Sequence, residues 1–393
     1  MKHCTTVALF DSVEELIRAH VRDFIQDVVE SEVAEAIERS RYVRGGRGYR
    51  NGHRERTLIT TMGKLEISSP RARIFTDEGE REFRSSAIPK HRRLSPNAES
   101  LIVACYLGGV STRKSSAALA QALGAGVSKS TVSRCLERLR PNWEAWQRRD
   151  LSSDHIQRLI LDGIVVHAKV GGKSERMTIL VALGVGSDGT KSALAFKAMG
   201  AESKEAWKEI LEDLSARGVK QPQVASADGS KGLEAALAEV WPQAPVQRCT
   251  VHKERNLLAK APQSLHEELK ADYSLMMYAQ TAQEALAQRR AFLAKWGSKC
   301  PGVARSLEEA GDRLFTFLPF PPRQWKTLRT TNAIERLQEE FRRRIKVQGM
   351  QPSADSACML FWALLASGTI RLRKVDGFET LDQKPKEELN LAA

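Results

Sequence analysis

The chain begins with a stripe of apolar residues spaced three and four positions apart. Within residues 11–40 (DSVEELIRAHVRDFIQDVVESEVAEAIERS), the stripe includes Val13, Leu16, Ile17 and Phe24. This spacing predicts an amphipathic helix. A helix with such an apolar face usually packs against another surface, and a second subunit of the same protein is one candidate.

Three short helices are predicted between residues 95 and 140, in the stretches SPNAESLIVACYLGG, STRKSSAALAQAL and SKSTVSRCLERL. Ser128 stands at the expected N-cap of the third helix, whose buried stripe would be Val132, Leu136 and Leu139. Two short helices around the glycine turn LGAGV, the second polar and basic, are typical of a helix-turn-helix. A three-helix bundle without DNA contacts has the same pattern and stays open. The DNA contacts predicted on the third helix are Lys129, Ser130, Ser133 and Arg134.

Beyond Arg140 the pattern changes from helical to extended. We expect Pro141 to break the helix and NWEAWQRRDL to form a connector. RLILDGIVVHAKV, RMTILVALGVG and KSALAFKAM then predict three consecutive strands joined by tight turns. The strands PQVASAD and PVQRCTVH follow, alternating with helices. A meander followed by alternating helices and strands predicts an α/β fold with a mixed sheet, in the element order of ribonuclease H-like nucleases.

The last part of the chain is predicted to be helical. From Arg255 to about Arg323 no strand pattern occurs, and a long helix is expected from Thr331. The apolar stretch Ser356 to Ile370 is shorter than the roughly 20 residues of a membrane-spanning helix, so we expect a buried core helix. The expected organisation is a helical and basic dimerisation and DNA-binding region (1–93), a helix-turn-helix domain (94–142), the first part of a catalytic core (155–254), a helical insertion (255–325), the last part of the core (326–375) and a tail (376–393).

The charge of the chain indicates a polyanionic partner. Its 393 residues carry 61 Lys and Arg against 48 Asp and Glu, a net charge of +13. Nucleic acid is the leading partner for such a surplus, and a merely basic soluble protein is the alternative. The surplus is marked in RSRYVRGGRGYRNGHRERT, which mixes Arg with Gly and Tyr as flexible phosphate-binding segments do. A solvated charged face is the alternative there, and the DNA contacts predicted in this stretch are Arg44, Arg47, Arg50 and Arg54. The next stretch predicts a short hairpin around Gly63.

The cellular compartment is predicted from cysteine usage and from the N-terminus. The six cysteines show no repeated spacing, which fits a reducing cytosol rather than a disulfide framework. The N-terminal MKHCTTVALFDSVEELI reaches acidic residues too early for a signal peptide. We therefore expect a cytoplasmic, nucleoid-associated protein.

Two aspartates occupy positions where α/β proteins place active sites. Asp162 lies inside the first strand of the meander, where a buried carboxylate is costly unless it is paired or binds a metal. Asp228 ends the strand VASAD, and α/β sheets bind ligands at the carboxyl ends of their strands. An aspartate at a strand end is often only a helix cap. Together, however, the two match the first two metal ligands of ribonuclease H-like enzymes.

A third carboxylate, Glu335, lies in the stretch TTNAIERLQEEFRRRIKV of the last long helix. It shares a helix face with basic groups at steps of three and four, so one face could hold a metal and DNA phosphates. Glu339 and Glu340 are rival carboxylates, and we prefer to interpret both as ordinary surface charge. The basic residues of this helix predicted to contact DNA are Arg342, Arg343 and Lys346.

Five stretches resemble the Mutator-type insertion-sequence transposases of the DDE class, also known as the insertion sequence 256 family. They are YRNGHRERTL, YLGGVSTRK with VSKSTVSR, LDGIVVHAKV, DGSKGLEAAL with QRCTVHKERN, and RTTNAIERLQEEFRRR, spread from about residue 40 to residue 350. The resemblance implies that the acidic triad falls on Asp162, Asp228 and Glu335, with a mostly helical insertion before the glutamate. Gly163 and Ser230 stand where relatives often have Ala and His, and neither change removes a metal ligand.

The expected activity follows from this triad. Its hard oxygen ligands suit Mg²⁺, with Mn²⁺ as an alternative, and two such ions suit in-line phosphoryl substitution. We expect a DNA transposase that binds the terminal inverted repeats of its mobile element, cleaves DNA strands and transfers them to target DNA. A homodimer is expected because two element ends must be brought together. We expect neither a small-molecule substrate nor a membrane partner. A repressor with a vestigial nuclease fold and a junction-resolving nuclease are the alternatives.

Cys249 and His252 form a C-x-x-H pair, which is half of a zinc site without a second pair at finger-like spacing. Structural packing, zinc binding and substrate contact all stay open for this pair. The family resemblance implies a structural or DNA-positioning role near the second aspartate.

Overall fold

The computed structural model describes residues 2–43, 45–170, 172–200, 202–348, 353–383 and 385. Its internal contacts divide the chain into two compact units, Met1–Arg138 and Leu139–Ala393. Among the described residues, no helix combines the length and the apolar character needed to cross a bilayer.

The first unit opens with a long helix packed on a three-stranded antiparallel sheet. The helix is α1 (Lys2–Ala36), and the strands are β1 (Gly48–Thr60), β2 (Gly63–Thr76) and β3 (Gly79–Glu82), in the order β1-β2-β3. Leu65 and Ile67, two positions apart on β2, point to the same face and are buried with Val29 of α1. The predicted N-terminal helix and the hairpin at Gly63 are therefore confirmed.

The basic stretch before that hairpin is not a flexible segment throughout, so this expectation is wrong from Gly48 onward. Strand β1 begins there and pairs with β2 as far as the partners Thr60 and Gly63. Gly48 lies so close to β2 that a Cβ atom would come within 2.1 Å of the Arg73 carbonyl oxygen. The ladder of backbone hydrogen bonds outweighs the flexibility that the Gly and Arg composition suggests.

Three short helices complete the first unit and pack on one another: α2 (Pro96–Leu107), α3 (Thr112–Ala122) and α4 (Lys129–Glu137). Their N-caps are Ser95, Ser111 and Ser128, and each hydroxyl accepts a hydrogen bond from a backbone N–H of the first turn. Helix α4 buries Val132 and Cys135, whereas Leu136 is only half buried. The predicted helix is confirmed, but its buried stripe uses Cys135 in place of Leu136, and Leu139 is half buried and lies beyond the end of α4.

The second unit contains a five-stranded mixed sheet. Its strands and helices are α5 (Arg140–Gln147), β4 (Ile156–Val170), β5 (Lys173–Gly186), β6 (Lys191–Met199), α6 (Lys204–Ala216), β7 (Val224–Ala227), α7 (Lys231–Val240), β8 (Val246–Arg248) and α8 (Thr250–Leu258). The strand order is β6-β5-β4-β7-β8, with antiparallel pairing along the meander and parallel pairing of β4 with β7 and of β7 with β8. The predicted α/β fold with a mixed sheet is confirmed.

The remaining elements are all helical. They are α9 (His266–Met277), α10 (Ala282–Lys299), α11 (Pro301–Ala310), α12 (Pro322–Leu328), α13 (Asn332–Gln348) and α14 (Ala354–Ala366). Helices α9 to α11 contribute residues such as Phe292 and Trp296 to an apolar core that also includes Val224 of β7 and Trp325 of α12. Helix α14 is buried along most of its length, as predicted for this apolar stretch.

Three local expectations in the second unit are wrong. Pro141 does not break a helix but lies in the first turn of α5, where its missing N–H costs no hydrogen bond. The presumed connector is helical because Trp143 is buried against Trp362 of α14. Strand β8 ends at Arg248, since its neighbour β7 ends at Ala227 and offers no further pairing.

Candidate active site

Asp162 lies in the middle of β4, and only 5% of it is exposed. Its Oδ1 accepts a hydrogen bond from the Gly163 N–H (2.8 Å), and its Oδ2 accepts one from Nε2 of Gln338 (3.2 Å). Burial raises the pKa of Asp162 to about 7; nearby His252 opposes this shift, and the carboxylate of Asp228 adds to it. A strand interior places the carboxyl group where it is costly to ionise without a cation.

Asp228 directly follows β7, the parallel neighbour of β4. The pairing of Ile160 with Ser226 sets the register, and both aspartates come two residues after that pair. Their carboxylates therefore lie beside each other, as the effect of Asp228 on the pKa of Asp162 also indicates. Oδ1 of Asp228 accepts a hydrogen bond from the Ser230 N–H (2.8 Å). The strand-end prediction for Asp228 agrees with its place in the fold.

A further carboxylate, Glu202, lies near both aspartates and was not predicted from the sequence. Burial raises its pKa, as does Asp228, while the indole of Trp207 donates a hydrogen bond to Oε1 (2.9 Å) and lowers it. A Cβ atom on Gly163 would lie 3.2 Å from Oε2 of Glu202. No motif identifies this residue, because it stands in the connection between β6 and α6.

Glu335 lies in the first turn of α13, with 21% of its side chain exposed. Its Oε1 accepts a hydrogen bond from Nη1 of Arg255 (2.8 Å) and lies 3.6 Å from Nε2 of His252. Both partners belong to α8, the helix that follows β8. Helix α8 therefore connects the glutamate to the part of the sheet that carries Asp228.

Gln338, one turn after Glu335, ties α13 to the strand of the first aspartate. It is buried, and its Nε2 donates to the Asp162 carboxylate and to the Gly163 carbonyl oxygen, each at 3.2 Å. The sequence offered only charged candidates on this helix, so this amide was missed. Of the rival acids, Glu339 is exposed and Glu340 forms an ion pair with Arg343 (2.7 Å).

Cys249 and His252 lie at the start of α8, between these groups. Cys249 is fully buried, and its Sγ accepts hydrogen bonds from the backbone N–H and the hydroxyl of Thr331 (both 3.4 Å). The adjacent Cys249 side chain raises the pKa of His252 to about 9, assisted by Asp162 and Glu335 against burial. Among the described residues, Nδ1 of His252 has no hydrogen-bond partner of good geometry. The effect of Cys249 on this imidazole is therefore electrostatic. These contacts support the packing interpretation.

The donor set of the site fits a divalent cation. Asp162, Asp228 and Glu202 supply hard oxygen donors, and their mutual repulsion is relieved when a cation binds. In the part of the chain that the structure describes, no three His, Cys, Asp or Glu side chains are already arranged to bind a metal. Glu335 is instead held by Arg255.

The candidate DNA contacts of α4 lie on its exposed side. They are Lys129, Ser130, Ser133 and Arg134. Arg134 donates only to Ser130 O (3.3 Å) and Thr131 Oγ1 (3.2 Å) within its own helix, and it has no carboxylate partner among the described residues. Its guanidinium is therefore available to a ligand.

The other predicted contacts differ in their availability. Arg50 is held by Glu30 (2.5 Å) and is largely buried, whereas Arg47 pairs with Glu38 (3.2 Å) on the surface. Arg54 is exposed, and Arg44 lies outside the described residues. On α13, Arg343 pairs with Glu340, and all three predicted contacts of this helix are exposed: Arg342, Arg343 and Lys346.

Fold and site together define an α/β protein in which acidic side chains gather beside adjacent parallel strands. The chain belongs to the family described as "Transposase, Mutator family", whose profile matches residues 2–370. This confirms the family predicted from the sequence motifs. A transposase of this family is an enzyme of DNA transposition.

Several curated relatives are transposases of insertion sequences. The chain is 33% identical over 350 residues to the transposase for insertion sequence element ISRM5 of Rhizobium meliloti, covering 88% of this chain and 86% of the relative. It is 35% identical to that for IS6120 of Mycolicibacterium smegmatis, covering 69% and 84%. It is 27% identical to that for IS256 in transposon Tn4001 of Staphylococcus aureus, covering 90% and 93%.

Proposed function

We propose that this transposase binds the terminal inverted repeats of its own element and cleaves and transfers DNA strands with Asp162, Asp228 and Glu335. The observation that carries the proposal is the β4–β7 register, which places both aspartates two residues beyond the pair Ile160–Ser226. The Gln338 hydrogen bond brings the glutamate helix to the same strand. Phosphoryl transfer requires such a group of carboxylates on a rigid scaffold.

The three carboxylates would hold Mg²⁺, or Mn²⁺, which supplies the Lewis acid for in-line substitution at a phosphate. Glu335 would exchange its hydrogen bond from Arg255 for this role. The freed guanidinium of Arg255, of which 61% is exposed, then suits a DNA phosphate oxygen. His252 keeps a positive charge beside Asp162 and Glu335 at neutral pH because its pKa is raised to about 9.

DNA recognition is assigned to the first unit. Helices α3 and α4 would act as a helix-turn-helix, with the exposed side of α4 facing the bases. The protein would act as a homodimer that joins two element ends. Leu16 and Phe24 of α1, which are 60% and 69% exposed, support α1 as the dimer contact.

The test is nicking of a labelled terminal-repeat duplex in Mg²⁺. Asp162→Asn, Asp228→Asn and Glu335→Gln should each lower the rate by several orders of magnitude, because each keeps the side-chain volume and removes a ligand charge. Binding to the same duplex should be unchanged. Glu339→Gln is the matched control, since Glu339 is exposed on the same helix, and Glu340→Gln is a second control.

Three outcomes would contradict the proposal. Full nicking by all three triad variants would rule out the carboxylate mechanism. Loss of nicking in Glu339→Gln or Glu340→Gln, with Glu335→Gln active, would show that the third ligand is misassigned. A protein that binds the repeats but never nicks them, even unmutated, would be a repressor.

A further inference from the structure

A groove of about 630 Å³ lies in the second unit between α13 and residues 369–376, which follow α14. We call it the C-terminal groove. Its lining includes Ile160, two positions before Asp162 on β4, and Leu337 of α13. Glu340 and Asp376 are the acidic residues of the lining. The basic residues along its walls include Lys326, Arg336, Arg343, Arg371, Arg373 and Lys374.

Positive charge in the C-terminal groove exceeds what its acidic residues neutralise. Glu340 already pairs with Arg343 (2.7 Å), and Asp376 pairs with Lys326 (2.8 Å). The exposed residues Arg336, Arg371 and Arg373 form no ion pair with any residue that the structure describes. Unneutralised guanidinium groups around one concave surface attract an anionic ligand.

The crowding of charge also affects Lys191, at the edge of the C-terminal groove. Burial lowers the pKa of Lys191; Asp376 opposes this effect, and the positive charge of Arg336 adds to it. Arg336 of the α13 wall therefore repels a second cation at the edge of the groove. An anion bound between them would relieve this repulsion.

The wall formed by residues 369–376 is held firmly. The Val375 N–H donates to Gly189 O (3.0 Å), and Nζ of Lys374 donates to Asp188 O (3.1 Å) in the β5–β6 turn. At its other end, the Ile370 N–H donates to Leu364 O (2.9 Å) of α14. A wall fixed in this way loses little conformational freedom when a ligand binds.

The basic groups of the α13 wall are spread along the helix rather than gathered at one point. Arg336 and Arg343 lie two turns apart on α13, about 10 Å along the helix axis. One DNA strand carries a phosphate about every 3.4 Å of duplex axis, so this distance spans about three phosphate-to-phosphate steps. A single small anion would engage only a part of such a row.

From these observations we propose that the C-terminal groove binds the phosphate backbone of a DNA segment that passes the carboxylate site. Arg336 directly follows Glu335 and lies about 100° around α13, so the two side chains occupy neighbouring faces. DNA held in the groove would therefore run beside the glutamate. This inference rests on the proposed action on DNA, and it assigns the contacts to phosphates rather than to bases.

The double variant Arg336→Gln/Arg373→Gln tests the proposal in the full chain. Its affinity for a terminal-repeat duplex and for a random duplex of equal length is measured against NaCl concentration, without divalent metal. The slope of log K against log salt should become shallower by about 1.8, since each phosphate contact contributes about 0.9. The change should be equal on both duplexes. The control Arg305→Gln/Lys220→Gln removes the same charge from exposed positions outside the groove and should leave the slope unchanged.

The remaining outcomes are also decisive. Arg336→Lys/Arg373→Lys keeps the charge and should retain the slope of the unmodified protein. A slope that equals that of the control would overturn the proposal, and so would a loss confined to the terminal repeat. Thermal unfolding shows whether the double variant is folded. If it is not, the single variant Arg371→Gln is measured instead, and its slope should change by about 0.9. Because binding is measured without cleavage, failure of the triad to cut DNA would leave this result unaffected.

Discussion

Gln338 shows how much one neutral side chain can contribute to a charged site. Its amide donates to the Asp162 carboxylate and to the Gly163 carbonyl oxygen, and its Oε1 accepts from Arg342 (3.4 Å). It fixes the orientation of the carboxylate and the distance between α13 and β4. Partners of this kind around metal ligands typically change metal affinity or activity 10- to 100-fold when they are removed.

We therefore expect Gln338→Leu to lower the nicking rate by about 10- to 100-fold and to raise the Mg²⁺ concentration needed for half-maximal rate. The leucine keeps the volume but cannot donate to Asp162. A Mg²⁺ titration of nicking measures both effects, with Glu339→Gln as the matched variant on the same helix. An unchanged Mg²⁺ midpoint, with only thermal stability reduced, would limit Gln338 to packing.

The sequence predicted the two aspartates because their positions follow from local patterns. Asp162 interrupts an apolar strand, and Asp228 ends one. Gln338 and Glu202 could not be found in this way, since neither stands in a pattern that marks a site. Gln338 contacts a residue 176 positions away, and only the packed fold reveals that contact.

At the scale of single elements, periodicity predicted most helices and strands. It failed where contacts with other elements determine the secondary structure. Strand β1 has a flexible composition and is ordered by pairing with β2. Helix α5 contains a proline and is ordered by its buried tryptophan, Trp143. In both cases distant contacts override the local preference, which no short stretch of sequence records.

Helix α4 carries the prediction that belongs to this scale. If it reads bases, Arg134→Ala should weaken binding to the terminal repeat about 5- to 100-fold more than binding to a random duplex, since a good base contact discriminates by about 1–3 kcal/mol. Competition binding with the two duplexes measures the difference. The control is Lys114→Ala on the exposed side of α3, where the first helix of such a motif contacts the backbone.

Lys114→Ala should weaken binding to both duplexes by the same factor. If Arg134→Ala weakens binding to the terminal repeat and to the random duplex by the same factor, Arg134 contacts only a phosphate. No loss at all would exclude α4 as the recognition helix and favour a three-helix bundle without DNA contacts.

At the scale of the whole molecule, Glu309 of α11 links the helical insertion to the core of the second unit. Its carboxylate accepts from Arg248 of β8 (2.9 and 3.0 Å) and from Lys253 of α8 (2.9 Å). Both cations are almost fully buried, whereas 47% of the Glu309 side chain is exposed. Arg248 also packs under the turn after Asp228, because a Cβ atom on Gly229 would lie 2.2 Å from its Nε.

This linkage predicts a dependence of stability on pH. The hydrogen bonds from Arg248, and then from Lys253, lower the pKa of Glu309 to about 2 despite burial. Because this pKa is lowered, the Glu309 carboxylate stabilises the folded state fully at pH values well above its ordinary pKa of 4.5. This stabilisation is lost as the pH falls towards 2. Because the carboxylate is half exposed, we expect Glu309→Gln to lower the free energy of unfolding at pH 7 by only about 1 kcal/mol.

The measurement is denaturant unfolding of Glu309→Gln and of the unmodified protein between pH 7 and pH 3. The difference between them should shrink as the pH falls. Glu308→Gln is the matched control, since Glu308 is the exposed neighbour on α11. A difference that stays constant over this range would mean that the charge of Glu309 does not stabilise the insertion.

The contact of Gln338 with Asp162 also determines when the site can form during protein synthesis. The two residues are 176 positions apart in the chain. A ribosome adding about 5–20 residues per second therefore needs roughly 10 to 35 seconds to make the second after the first. Throughout that interval the chain of the first unit has already been made, while α13 is still incomplete. If the first unit binds DNA as proposed, a nascent copy would reach DNA before its carboxylate site is complete.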